Sequence, residues 1–313
     1  MNLLITGGAG FIGSNFVRYI MTNTDYRVVN YDCLTYAANL DYLNDLTDHK
    51  RYIFVYGNIT NKSLVDKVIQ EYEIDCIINF AAESHVDKSI SDASSFVETN
   101  VVGTVCLLEH ARKHSLRMIQ ISTDEVYGSL ISGYAKEDEA LKPSSPYAAS
   151  KAAADQFVHA YFTTFGVQTN IIRAANNFGP NQNEEKLIPL MLTHMEKNKP
   201  LPVYGKGLNS RDWLYVTDFC QAIILVLSKG ECGEIYNVTN HQELTNLELI
   251  ELLKQYGQFQ DIRTEFVSDR LGHDQRYGMD NTKIKNLGWQ AEMSFCEGLK
   301  KTVHWHLENI RKK

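Results

Sequence analysis

Apolar and polar positions along the chain change period repeatedly. Asn2 to Thr6, Arg27 to Tyr31, Tyr52 to Tyr56, Cys76 to Phe80, 116–121 and Val167 to Arg173 are short apolar or β-rich runs, which predict six strands. Between them the spacing turns helical. Ser14 to Met21 carries Phe16, Val17 and Ile20 on one face, and helices are expected at about Ser63 to Tyr72, Ser95 to His114 and Tyr147 to Phe165. The last begins after Pro143-Ser144-Ser145-Pro146 and ends at Gly166, residues suited to a helix's first turn and its stop. Strands alternating with helices at this spacing predict an α/β fold with a doubly wound parallel sheet.

Beyond Arg173 the alternation loosens. Asn176 to Pro180 opens an irregular region, Leu201 to Gly207 reads as a short strand and turn, Phe219 to Ser228 and Leu247 to Gln255 as helices, and Thr282 to Arg311 as the closing segment. Two domains are expected: a dinucleotide-binding domain over 1–173 with a contribution from about 212–240, and a smaller α+β substrate domain over 174–211 and 241–313. No repeat, low-complexity tract or linker interrupts the chain, so the lobes are expected to pack around one cleft.

Composition narrows the partners. The chain has 313 residues, 44% hydrophobic and 22% charged, the proportions of an ordinary globular protein. A net charge of -7 and a pI near 5.8 argue against binding to nucleic-acid backbone and for a small-molecule partner. No apolar run is long enough to span a membrane, and Met1 to Ile5 meets Gly7 too soon for a signal peptide, so the cytoplasm is the expected compartment. The six cysteines show no Cys-x-x-Cys spacing, which predicts buried reduced thiols and neither a zinc site nor a redox pair.

The first strand runs into Gly7-Gly8-Ala9-Gly10-Phe11-Ile12-Gly13 and a helix. Strand, glycine loop and helix N-terminus together suit a dinucleotide pyrophosphate. Asp32, 19 residues after Gly13, closes the second strand, where a carboxylate bonds ribose hydroxyls and repels a 2′-phosphate; this favours NAD over NADP. The alternative is an aspartate that only ties a turn. Asn58 suits the adenine edge or, equally, a turn, and Ala81-Ala82 would let backbone approach the cofactor.

Tyr147 and Lys151 lie one helical turn apart on one face. Tyrosine is a poor base near neutral pH, and a neighbouring ammonium favours the phenolate. Ser122-Thr123-Asp124-Glu125-Val126-Tyr127-Gly128 follows the fifth strand and sets two adjacent carboxyls at the sheet edge where ligands bind. Neighbours in a strand point to opposite faces, so the backbone must leave strand geometry by Thr123 for both to serve one cleft.

These motifs resemble the extended short-chain dehydrogenase/reductase family, with its Rossmann-like fold. Thr123 to Gly128 is similar to the branch that dehydrates dTDP-glucose. The resemblance covers nearly the whole chain and implies NAD as cofactor, a nucleotide-sugar substrate and a homodimer formed through the apolar faces of 95–113 and 147–165. It implies oxidation at carbon 4 with Thr123, Tyr147 and Lys151, then loss of water with Asp124 as acid and Glu125 as base. The implied cofactor contacts are Gly7, Gly10, Phe11, Ile12, Gly13, Asp32, Asn58, Ile59, Ala81, Ala82, Thr99, Tyr147, Lys151 and Asn177. For the substrate they are Ser84, Thr123, Asn176, Lys186, Leu187, Pro202, Val203, Tyr204, Arg211, Asn246, Arg276 and Tyr277, with Arg276 as second pyrophosphate ligand after Arg211. His85 is expected to be structural. Only 18 residues separate Gly128 from Tyr147, fewer than in many members of the family. A 4-epimerase or a UDP-glucuronate decarboxylase would share the oxidation without needing the carboxyl pair, and a non-catalytic NAD sensor would share only the fold. His110 and His114 stand four apart on a helix, but the sequence offers no third metal ligand and Lys113 lies between them, so a solvated face is expected.

Overall fold

The computed structural model describes residues 1–260 and 262–312. Its strands are β1 (Asn2–Thr6), β2 (Arg27–Asp32), β3 (Tyr52–Tyr56), β4 (Cys76–Asn79), β5 (Arg117–Thr123), β6 (Thr169–Ala174), β7 (Asn176–Phe178), β8 (Leu201–Tyr204), β9 (Ser210–Tyr215), β10 (Ile235–Val238), β11 (Glu243–Thr245) and β12 (Thr264–Val267). Seven of them form one sheet in the order β3-β2-β1-β4-β5-β6-β10, with every pair parallel. The chain winds outward from β1 to β3, then returns to lay β4 on the other side of β1. That reversal opens a crevice at the carboxyl ends of β1 and β4.

Both faces of this sheet are covered, which is why its strands read as nearly unbroken apolar runs rather than alternating ones. The pleat sends Leu3 and Ile5 to one face and Leu4 to the other. On the first face they meet Phe16, Val17 and Ile20 of helix Phe11–Asn23 and Phe219, Ile223 and Val226 of helix Val216–Lys229. On the second, Val65 and Val68 of helix Lys62–Glu71, Leu107, Leu108 and Ala111 of helix Thr104–His114, and Val158 of helix Pro146–Phe165 close the layer. A third apolar cluster, including Phe178, Met191, Leu192, Trp213, Leu249, Leu253, Leu299 and Val303, lies among helices Leu187–Glu196, Asn246–Gly257 and Phe295–Lys312. Two small sheets, β11-β9-β7 and β12-β8, accompany it.

The six strands expected from the sequence form within a residue or two of their predicted limits, and β10 is a seventh. The helix expected over 95–114 is not uniform: Ser94–Phe96 is followed by a π-helical turn, Val97–Gly103, before regular helix resumes at Thr104. The wider turn carries Asn100 into the interior, 1% exposed, where its amide accepts from Glu83 N (2.9 Å) and donates to Ser150 Oγ (2.8 Å) and Glu83 O (3.0 Å). Those bonds tie the wall of the crevice to the helix that bears Tyr147.

Candidate active site

The first turn after β1 is shaped by its glycines. Gly7 has φ +69, a left-handed conformation, and a Cβ at Gly13 would run into the Gly7 carbonyl oxygen. Helix Phe11–Asn23 starts at Gly10 with no side-chain cap and no acidic residue in its first turn. Its leading amides are therefore left for an anion, an arrangement that fits a pyrophosphate. Asp32, at the end of β2, is 8% exposed; its carboxylate accepts from Ala9 N (2.9 Å) and Leu34 N (2.8 Å). It ties the turn and also lines the cleft. Asn58 behaves likewise: its side-chain oxygen accepts from Thr60 N (2.9 Å) while the residue faces the cleft.

One cleft of about 430 Å³ runs along this edge. It is lined by every residue expected to contact the cofactor (Gly7, Gly10, Phe11, Ile12, Gly13, Asp32, Asn58, Ile59, Ala81, Ala82, Thr99, Tyr147, Lys151 and Asn177) and by Thr123, Asp124 and Glu125. Of the expected substrate contacts, Ser84, Asn176 and Lys186 join them.

At its centre β5 ends at Thr123, and Asp124–Tyr127 turns as a 3-10 helix, the departure from strand geometry that a shared cleft requires. Thr123 caps this turn. Its hydroxyl oxygen accepts from Glu125 N (3.3 Å) and its hydroxyl proton is directed at Asp124 Oδ1 (3.1 Å). Gly128, with φ +74, completes the reversal against the Lys142 carbonyl.

The two carboxyls stand in different fields. Burial, reinforced by the charge of Glu125, holds Asp124 well above the ordinary aspartate range, against smaller opposing effects from the Thr123 hydroxyl and Arg211. Burial also raises Glu125, but Arg270, Arg211 and Lys186 all act to keep it ionised. Of the two, Asp124 is pushed the further upward and holds a proton the more firmly.

Tyr147 and Lys151 are both buried, at 9% and 5% exposure. Lys151 donates to the Ile121 carbonyl at 2.6 Å, and burial lowers its pKa to about 8 despite the nearby charge of Asp155. The expected bias of Tyr147 toward phenolate is absent from the chain by itself: burial, then the charge of Glu125, push the phenol upward, and only the hydrogen bond from Thr123 opposes them. A tyrosine so placed keeps its proton until further positive charge enters the cleft.

The remaining expected substrate residues lie outside the cleft lining. Leu187 opens helix Leu187–Glu196, Pro202, Val203 and Tyr204 lie in β8, and Asn246 opens helix Asn246–Gly257. Tyr204 donates to Asp87 at 3.3 Å. Arg211, in β9, is 7% exposed, donates to the carbonyls of Ser210 (2.8 Å) and Asp274 (3.0 Å), and stacks on Tyr277 at 4.4 Å. Tyr277 is more deeply buried than a ligand contact needs, 2% exposed, donating to Asp274 (2.8 Å) with its oxygen 3.4 Å from Glu125.

Arg276, expected as the second pyrophosphate ligand, is engaged within the chain. Its guanidinium is held by both carboxylate oxygens of Glu243, each at 2.6 Å, and by the Gly133 carbonyl at 2.9 Å. Arg270 instead bears on Glu125 of the pair, and its buried Nε has no hydrogen-bond partner and lies 3.9 Å from Asp87. Both arginines belong to the segment Asp269 to Tyr277, and no spacing rule separated them. Lys186 is held by the Ser84 carbonyl at 2.8 Å. His85 is structural, its ring accepting from Lys88 N (3.4 Å) as a helix cap and lying 3.6 Å from Glu185. The short segment after Gly128 is stitched to 274–280 through Leu130 N to Arg276 O, Ala135 N to Gly278 O, and Ser144 to the Asp274 carboxylate.

A dinucleotide crevice bearing a Tyr-x-x-x-Lys pair and a split carboxyl pair defines an extended short-chain dehydrogenase/reductase of the sugar-nucleotide kind. Residues 4–302 match the family described as GDP-mannose 4,6 dehydratase, and the chain belongs to that family. A low-salt glycan biosynthesis protein of Haloferax volcanii is 50% identical, the alignment covering 98% of this chain and 99% of the relative. The dTDP-glucose 4,6-dehydratase of Haemophilus influenzae is 45% identical over 99% of this chain and 98% of its own. The crystal structure of the dTDP-glucose 4,6-dehydratase of Streptomyces venezuelae, solved with NAD bound, superposes with a TM-score of 0.96 at 45% identity, covering 99% of this chain and 98% of that one. Among the described residues no helix is long and apolar enough to cross a membrane.

Proposed function

We propose that the chain dehydrates dTDP-glucose to the 4-keto-6-deoxy sugar nucleotide, with NAD as a cofactor that is regenerated in each turnover. The observation that carries this reading is the pair Asp124 and Glu125, adjacent at the end of β5 and both raised by burial, Asp124 the more strongly, while Arg270, Arg211 and Lys186 favour ionised Glu125. NAD, which the glycine turn and Asp32 would hold, would supply the redox chemistry, by which carbon 4 is oxidised and carbon 6 is reduced. The chain's own residues move the protons. Tyr147, oriented by Thr123 and with Lys151 one turn away, takes the proton of the carbon 4 hydroxyl. The resulting ketone acidifies the hydrogen on carbon 5, which Glu125 removes as a proton, while Asp124 protonates the carbon 6 hydroxyl so that it leaves as water; Glu125 gives its proton back to carbon 5 as carbon 6 is reduced, and the proton held by Tyr147 makes good the one Asp124 has lost. Lys186, Arg211 and Arg270 supply positive charge for the diphosphate, with Arg270 in place of Arg276.

On this reading 1–173 with about 212–240 is the NAD-binding domain, and 174–211 with 241–313 binds the sugar nucleotide. Exposed Val97, Val102, Phe157 and Phe165 on helices of the predicted pairing surface support a homodimer, and the cytoplasm is the expected compartment. Incubation with NAD and either dTDP-glucose or UDP-glucose, followed by NMR detection of a carbon 6 methyl group, tests the reaction and the base together. A Glu125→Gln variant with undiminished turnover would favour an epimerase or decarboxylase, and NAD binding with neither sugar altered would favour a sensor.

A further inference from the structure

Helices Lys62–Glu71 and Thr104–His114, on the same face of the large sheet as the helix bearing Tyr147, hold a second cluster with no part in this chemistry. Asp66, on helix Lys62–Glu71, points its carboxylate at His110 and His114 of helix Thr104–His114. The third donor that the sequence did not offer comes from this neighbouring helix. Asp66 Oδ1 lies 2.7 Å from His114 Nε2 and 3.4 Å from His110 Nδ1, and the three donor atoms all fall within 4.8 Å of one another. The imidazoles, one turn apart, are nearly parallel at 18°, so both present a ring nitrogen toward the same carboxylate. His110 is 8% exposed, and its Nδ1 is buried without a hydrogen-bond partner although it faces Asp66.

We propose that Asp66, His110 and His114 form a binding site for a divalent transition-metal ion of the zinc type that bridges the two helices. Two imidazoles and one carboxylate suit zinc, which takes nitrogen and oxygen ligands at about 2.0–2.2 Å. Ligands at that distance around a tetrahedral ion lie about 3.4 Å apart. The Asp66–His110 separation already matches, and the other two need shifts of an ångström or so, within reach of side-chain rotation. The position now belongs to Lys113, whose ammonium lies 2.7 Å from Asp66 Oδ1. That side chain is 56% exposed and can swing into water, so an entering ion replaces one positive charge at the carboxylate with another. A fourth, solvent-facing position would be filled by water.

The test is titration of untagged, chelator-treated protein with zinc chloride by calorimetry, with cobalt(II) as a visible-light probe of coordination. One ion per chain is expected, accompanied by a rise in melting temperature that EDTA reverses. Lys113→Met removes the competitor and should tighten zinc binding roughly two- to fivefold, as expected for losing one exposed ion pair. His114→Gln, at a partly exposed position, should weaken it by more than the roughly 10- to 100-fold that loss of a mere supporting partner costs. The same affinity in both variants as in the parent would place the ion elsewhere and overturn the proposal, as would absence of saturable binding in the parent. None of these measurements depends on NAD or on turnover, so the outcome stands apart from the proposed dehydration.

Discussion

Lys151→Met should make the chain more stable while abolishing turnover, and the size of the effect can be worked from the site. Lys151 is 5% exposed and titrates at about 8 rather than at its ordinary 10.5. Holding its charge in the fold near neutral pH therefore costs about 3 kcal/mol relative to the unfolded chain. Methionine removes that cost but leaves the Ile121 carbonyl without its 2.6 Å donor, a loss of about 1–2 kcal/mol. The net expectation is a gain of about 1–2 kcal/mol at neutral pH. The sign of the pH dependence follows from proton counting: between about 8 and 10.5 the unfolded chain binds the lysine proton and the folded chain does not, so the parent gains stability with rising pH and the variant does not. By about pH 9.5 the gap should have shrunk by about 2 kcal/mol and closed or reversed. Urea unfolding of both proteins, freed of NAD, near neutral pH and near pH 9.5 reads this directly. A difference between parent and variant that stays constant with pH would show that the ammonium is not held at a cost, and the reasoning would fail.

Four other variants probe the acid, two arginines and the glycine loop. Asp124→Asn should slow the loss of water but not oxidation at carbon 4, so rapid mixing with dTDP-glucose should show enzyme-bound NADH accumulating in near-ultraviolet absorbance; an unchanged trace would remove Asp124 as the acid. Arg270→Met should raise the KM for the sugar nucleotide at least roughly tenfold, the loss of one charged hydrogen bond. Arg276→Met should instead cost about 1.5–3 kcal/mol of stability through the Glu243 pair, whose side chains are only 20% and 22% exposed, and leave that KM near the parent's. Gly13→Ala places a methyl group against the Gly7 carbonyl and should sharply weaken NAD binding, read by fluorescence titration; unimpaired affinity would mean the loop does not carry the pyrophosphate.

What could be read in advance depended on whether the signal was local. Six strands of the large sheet announce themselves as apolar runs, whereas β10, four residues long at the sheet's edge, does not; the glycine loop, Asp32, the Tyr147-Lys151 pair and Thr123-Asp124-Glu125 each sit within a few residues of an element boundary. β7, β11 and β12 are three or four residues long and stabilised by partners far away in sequence, so no periodicity could reveal them. The π-helical turn at 97–103 is set by what Asn100 bonds across the fold, which a helical repeat cannot express. Long-range partnering also distinguishes two arginines six residues apart: Arg276 is bonded to Glu243, thirty-three positions away, and Arg270 bears on Glu125. Asp66 beside His110 and His114 is the same kind of fact, a ligand spacing completed from another helix. Even Tyr147 and Lys151, whose adjacency the sequence displays, were misjudged on their charge. Adjacency fixes which groups can interact, but burial by the rest of the fold determines which protonation states those groups hold, and that is the information on which the proposed chemistry turns.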